Sequence, residues 1–296
     1  MLAALIASIP SPSTGILHLG PLKLHMYGLT LLAAIVLCVW LTSARWKRLG
    51  GDSDLVLRVA VWGVGAGVVG ARAYHDLTSW NEVPTPKIKG IFEIWQGGLG
   101  IWGGILLGTI VGAWVVRRAG ANVAAFLDAA APGLLLAQGV GRIGNWWNQE
   151  LFGKPTSLPW GLKIDAAHRP LAYASHATYH PTFLYELIWD LLGVAFLLWF
   201  AKRRQIHAPA LFALYVTWYC FGRFFEELLR IDPAHHIFGL RLNAWVSLIV
   251  FVLGAVAFQR LYAGKQVFPR PHRRKKPLDP QHPAGPKMSI PKGRVR

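Results

Sequence analysis

Long apolar stretches, broken by short charged junctions, run along the chain from about residue 24 to residue 258. A helix needs roughly 20 mostly apolar residues to cross a bilayer core. Seven windows reach or approach that length: 24–44, 55–74, 98–116, 123–143, 181–201, 209–225 and 240–258. The pattern predicts an all-α polytopic membrane protein with seven transmembrane helices. The second, third and fourth windows are rich in Gly and Ala. Small residues let helix backbones approach closely in lipid, so these three are expected to form a tightly packed centre.

The junctions predict the orientation. Arg45, Lys47 and Arg48 follow the first window, Arg117 and Arg118 the third, and Lys202, Arg203 and Arg204 the fifth. A basic tail follows the seventh. Cations gather on the cytoplasmic side of membrane helices, which places the N-terminus outside and the C-terminus inside. The expected organisation is an extracytoplasmic N-terminal segment (1–20), a membrane domain (21–262) and a tail (263–296). Two outer connections, 76–96 and 146–180, are long, and the second is dense enough in Pro, Trp, His and Tyr to form a small extracytoplasmic unit. The apolar start of the chain lacks a basic leader or clear cleavage site and reads as a retained segment.

Composition sharpens this picture. Only 15% of residues are charged, against about 25% in an average soluble domain. From Arg260 onward there are eleven Lys or Arg and one acid, Asp279, so the tail holds +10 of the net +17. The strong basicity therefore describes a tail and some loops, and nucleic acid is not an expected partner. The tail, Pro-rich with little to bury, reads as disordered. It either touches anionic lipid, at about 1 kcal/mol per basic residue, or serves as a solvated topology determinant. Fourteen Trp and fourteen Phe suit a chain anchored at two interfaces. Cys38 and Cys220 lie in apolar runs and read as buried small hydrophobes. His235 and His236 lack helical ligand spacing, and no metal is predicted.

Candidate chemistry concentrates in residues 141–153, GRIGNWWNQELFG, at the outer end of the fourth window. An ionisable group at membrane depth costs about 2.5–3.5 kcal/mol on insertion scales. Such groups persist where they pair, line a cavity or serve a function. A lone Arg–Glu pair could simply end a helix. Arg142, Asn145, Asn148 and Glu150 together within nine positions, with Gly and Trp interleaved, favour a functional site.

This stretch resembles the signature of prolipoprotein diacylglyceryl transferases, G-R-x-G-N-[aromatic]-[apolar]-N-x-E-x-x-G. Other landmarks of that family recur in order: Leu24-His25-Met26-Tyr27-Gly28, Gly70-Ala71-Arg72, Gly97-Gly98-Leu99 with Gly103-Gly104, His180 through Glu186, and Tyr219 with Arg223 through Glu227. The resemblance spans about residues 20–260. It implies a multi-pass enzyme of the bacterial cytoplasmic membrane that moves the diacylglyceryl group of phosphatidylglycerol to the lipobox cysteine of a prolipoprotein, the first step of lipoprotein maturation. The expected partners are phosphatidylglycerol, the prolipoprotein signal-peptide segment and membrane lipid, and no cofactor is expected.

The implied chemistry ranks the residues. A cysteine with a pKa of about 8.5 is only ~3% thiolate at pH 7, a deficit of roughly 2 kcal/mol. Stabilising charge on the departing phosphate is the larger task. Arg142 and Arg223 are expected to hold that phosphate through their planar forks, Arg223 also pairing with Glu227 one turn away. Glu150 is expected to orient Arg142 or take the thiol proton, and the resemblance adds Tyr27 as a fourth catalytic candidate. Asn145, Asn148, Gly153, Glu227, Tyr219, His25 and His180 complete the expected lipid-binding set. One departure stands out: where the family carries a His before the double Gly of the third window, this chain has Trp102, which accepts no proton at neutral pH. Trp102 is expected to pack beside Gly103 and Gly104. The rival reading, a transporter or lipid flippase built on the same polar cluster, is disfavoured by the lack of internal repeats and paired broken helices.

Overall fold

The structure, a computed structural model, describes residues 8–20, 22–94 and 97–263. The expectations for the basic tail lie outside these residues. Among the described residues there are eight α-helices: α1 (Met26–Arg48), α2 (Ser53–Thr78), α3 (Lys87–Gly90), α4 (Ile101–Arg118), α5 (Val123–Asn148), α6 (Thr182–Arg203), α7 (Ala210–Leu229) and α8 (Leu242–Ala263). The described residues also form three two-stranded antiparallel sheets, which an all-α reading does not anticipate, one before α1, one between α5 and α6 and one between α7 and α8. They are β1 (Ile16–Leu19) with β2 (Leu22–His25), β3 (Leu162–Lys163) with β4 (Thr178–Tyr179), and β5 (His236–Ile237) with β6 (Leu240–Arg241).

Helix ends follow local chemistry. Asp52 accepts from the Asp54 amide (3.0 Å) and Asn122 from that of Ala125 (3.0 Å), satisfying orphan donors at the starts of α2 and α5. The last turns of α1, α4 and α6 carry the predicted cations, which complement the negative ends of the helix dipoles.

Among the described residues, six helices are long and apolar enough to cross a membrane: α1, α2, α4, α5, α6 and α8. The expected seventh, α7, differs because Arg223, Glu226 and Glu227 occupy its last two turns. It is nevertheless packed between α6 and α8.

The expected centre is corrected. α2 and α4 do form a close pair, but α5 packs mainly against α1 and α6 and meets α4 only slightly. In the first pair, a methyl group at Gly70 would run into the Gly103 carbonyl, and the reverse holds as well. Along α5, the small Ala129 and Ala131 are fully buried with Leu135. Its Gly133 admits Thr42 and Cys38 of α1, and its Gly139 admits Leu187 and Asp190 of α6. The small residues of α5 thus bring it close to different helices from those that α2 and α4 serve. Gly70→Val is expected to destabilise the protein by about 1–3 kcal/mol through overpacking. This would be read as a lower thermal midpoint in detergent, and an unchanged midpoint would mean that the pair separates freely.

Between α5 and α6 the chain folds around its own buried cluster of Phe152, Leu162, Ile164 and Tyr179. The N-terminal segment joins it: the Ile9 amide donates to the Gly161 carbonyl and its own carbonyl accepts from Lys163, both at 2.9 Å.

Candidate active site

Arg142, Asn145 and Asn148 recur every three residues on the last two turns of α5, and so share a face. The helix then stops at Gln149, whose backbone turns left-handed (φ 50°, ψ 48°) and sends the chain back. The Glu150 amide donates to the Asn145 carbonyl (3.1 Å). One Glu150 oxygen accepts from the side-chain amides of Asn145 (2.8 Å) and Asn148 (3.4 Å). Asn145 in turn accepts from Arg142 at 3.5 Å, so four motif residues form one connected group.

The group continues into α6 and α7. Arg142 Nη2 lies 2.6 Å from Glu186 Oε1, and Arg223 Nη1 lies 3.1 Å from the other Glu186 oxygen. Arg223 also pairs with Glu226 (2.8 Å) and, through Nη2, with Glu227. Glu227 meets Arg241 of β6 at 2.7 Å, and Arg241 and Arg230 both hold Asp232. Glu186 is 5% and Glu227 1% exposed. Removing charges from water costs several kcal/mol per ion, which only good geometry and further hydrogen bonds recover. Here each arginine has at least one carboxylate partner. Burial alone would raise Asp232, yet its bonds to Arg230 and Arg241 hold it below the usual carboxylate value.

The other expected residues fall in different places. The Tyr27 ring packs against Gly144, with Glu150 and Arg142 in electrostatic reach. Tyr219 is within reach of Glu186 and both arginines. His25 lines a polar cavity beside Asn148 and Glu150. His180 bonds the Tyr185 hydroxyl at 3.1 Å, and burial, helped by Lys154, pushes its pKa below the ordinary imidazole value. Gly153 acts as a spacer: its amide donates to the His180 carbonyl (2.9 Å), and a side chain there would strike His180, Thr182 and the Leu229 carbonyl. Glu186, Glu226, Arg230, Arg241 and Asp232 were not among the expected site residues. Glu186 and Glu226 did lie inside matched stretches, and a carboxylate within an apolar helix was the available signal.

Trp102 does not pack beside the glycines as expected. Gly103 and Gly104 face Gly70 and Gly67 of α2, while the Trp102 side chain is 48% exposed on the first turn of α4. Trp102→Phe keeps a ring at an exposed position and is therefore expected to keep turnover within about threefold of the parent, with stability changed by no more than about 0.5 kcal/mol. Loss of all turnover in a stably folded Phe variant would show that the indole takes part in the reaction.

Two openings reach the network. A polar cavity of about 450 Å³ is lined by residues 12–16, His25, His168 and the turn 147–150. A mainly apolar groove of about 290 Å³ lies between α6 and α7, lined by Tyr185, Trp189, Phe221, Phe225 and Leu229, with Glu186 and Glu226 also on its wall. Glu150 on the first and Glu186 on the second are joined through Asn145 and Arg142.

Residues 14–260 match the family described as prolipoprotein diacylglyceryl transferase. The chain is 51% identical over 257 residues to phosphatidylglycerol–prolipoprotein diacylglyceryl transferase 2 of Streptomyces coelicolor, covering 85% of this chain and 80% of that one. It is 49% identical to the phosphatidylglycerol–prolipoprotein diacylglyceryl transferase of Cutibacterium acnes over 260 residues (86% and 88%). It is also 46% identical to that of Bifidobacterium adolescentis over 268 residues (86% and 80%).

Proposed function

The chain belongs to the prolipoprotein diacylglyceryl transferase family, and we propose that it attaches the diacylglyceryl group of phosphatidylglycerol to the lipobox cysteine of a prolipoprotein. The observation that carries this reading is the unbroken polar line from Glu150 to Glu186, which connects a polar cavity with an apolar groove. A reaction between a lipid and a peptide needs such a meeting place, with acyl chains on one side and a water-exposed peptide on the other.

In the reaction, the thiol sulfur attacks the glyceryl carbon and forms a thioether. The bond from that carbon to the phosphate oxygen breaks, its electron pair leaves with glycerol phosphate, and the thiol proton passes to a base or to the departing phosphate. A guanidinium carries five donors in a fixed fork. Arg142 uses Nη1 on Asn145 and Nη2 on Glu186, so further donors remain for a phosphate oxygen. The carboxylates around Arg142 and Arg223 fix where those donors point, and pre-set donors are what stabilise charge that develops in a transition state. Glu150, on the polar side with Tyr27 beside it, is placed to meet the thiol.

α7, with its charged end turned inward against α6, serves as the seventh span, and the chain runs from an outside N-terminus to a cytoplasmic C-terminus in the inner membrane. The paired arginines face inward onto neighbouring helices, and family membership supports transfer over transport. Purified protein given phosphatidylglycerol and a lipobox peptide is expected to yield lipidated peptide and glycerol phosphate in equal amounts. Intact phosphatidylglycerol and unmodified peptide, with a protein that still binds the lipid, would overturn the proposal.

A further inference from the structure

We propose that Gln149 is a positioning residue of this site, which latches the N-terminal segment and the outer loop around the turn that presents Glu150. The inference rests on the reading that Glu150 faces substrate.

Gln149 is in an unusual place for its type. Its backbone is left-handed, where an L side chain crowds the following carbonyl, and Leu151 at φ 56° is left-handed as well. Its side chain, at the outer end of a helix where water is near, is only 3% exposed. All of its hydrogen-bonding groups are engaged. Nε2 donates to the Pro12 carbonyl (2.9 Å) and to Asp165 Oδ2 (2.7 Å), and Oε1 accepts from the Asp165 amide (2.8 Å). Because a backbone amide can only donate, these partners fix which end of the side chain is oxygen.

One amide thus ties together three stretches distant in sequence. Neighbouring bonds run the same way: Trp146 Nε1 donates to the Pro10 carbonyl (3.0 Å), and Ser11 Oγ to that of Lys163 (2.6 Å). These bonds anchor residues 10–12, and the chain that leads on from them, residues 12–16, forms the walls of the polar cavity together with the turn itself. Glu150 is the next residue, and both asparagine amides converge on one of its oxygens. Fixing the backbone at 149 fixes the direction from which that carboxylate enters the cavity.

Gln149→Glu tests this with a side chain of the same length. It removes both donors and sets a carboxylate against Asp165. The expected result is kcat lower by at least ~10-fold with KM for phosphatidylglycerol within ~3-fold, measured well below the thermal midpoint of every variant. Asp165→Asn combined with Gln149→Glu supplies a new donor at 165 but none for the Pro12 carbonyl, and kcat is expected to return only in part. In a Glu150→Gln background, Gln149→Glu is expected to cost less than ~2-fold, because residues acting through one group are not additive. A fold that merely loosened would lose activity equally in both backgrounds, and that result would overturn the proposal. So would parental kcat in Gln149→Glu alongside an impaired Glu150→Gln. Parental kcat in Glu150→Gln would instead remove the role assigned to Glu150, and the latch with it.

Discussion

Glu186→Gln is expected to reduce turnover by about 100-fold or more, the scale set by a misplacement of about 1 Å at a reacting group. Glu186 is the single carboxylate on α6 that meets both Arg142 of α5 and Arg223 of α7, one oxygen for each. The glutamine keeps the shape but has one acceptor oxygen and no charge. One guanidinium then loses its bond at 186, leaving Arg142 with Asn145 or Arg223 with Glu226 and Glu227, and the charge that lay between the two cations is gone. Breaking a buried pair by removing one partner costs about 3–5 kcal/mol, and the arginines are expected to relieve that cost by moving. The loss should appear in kcat more than in KM if the forks act on charge that develops in the transition state. Glu186→Asp, which keeps the charge but shortens the reach, is expected to fall between. Near-parental kcat in the glutamine variant would show that the arginines are positioned without Glu186.

The same residue shows where sequence reasoning stopped. The motif from Arg142 to Glu150 was legible because its members are close in sequence, so helical spacing alone places them together. Glu186 lay in a matched stretch, but on another helix, and its choice of two arginine partners depends on how α5, α6 and α7 pack. Arg241 and Asp232 were harder still, since they reach the network from the hairpin before α8 and from the segment that leads into it. Gln149 occupied a variable position of the signature, and nothing in its residue type announces a left-handed turn. All seven apolar windows fall on helices, and six of these have the capacity to cross a membrane, because length and composition alone decide that capacity. They said less about α7, whose three charges are tolerated by pairing inside the protein, and about which Gly-rich helix packs on which. Periodicity tells a helix which face is small, and only the fold supplies the neighbour.

Arg142→Lys and Arg223→Lys are each expected to lower turnover by about 100-fold, although charge is conserved. Arg142 reaches two partners from different nitrogens of one plane, Glu186 at 2.6 Å and Asn145 at 3.5 Å. A lysine ammonium is a point charge on a flexible stem and cannot hold both positions while offering further donors to a phosphate. Arg223 is more constrained, since it meets Glu186, Glu226 and Glu227 from two nitrogens and ties α7 to α6. Its lysine variant is therefore expected to lose thermal stability as well, whereas Arg142→Lys should affect kcat with a smaller change in midpoint. The comparison separates the two contributions of a guanidinium, charge and planar geometry. If charge alone sufficed, both variants would turn over phosphatidylglycerol at near-parental rates, and the assignment of the phosphate to these two side chains would fall.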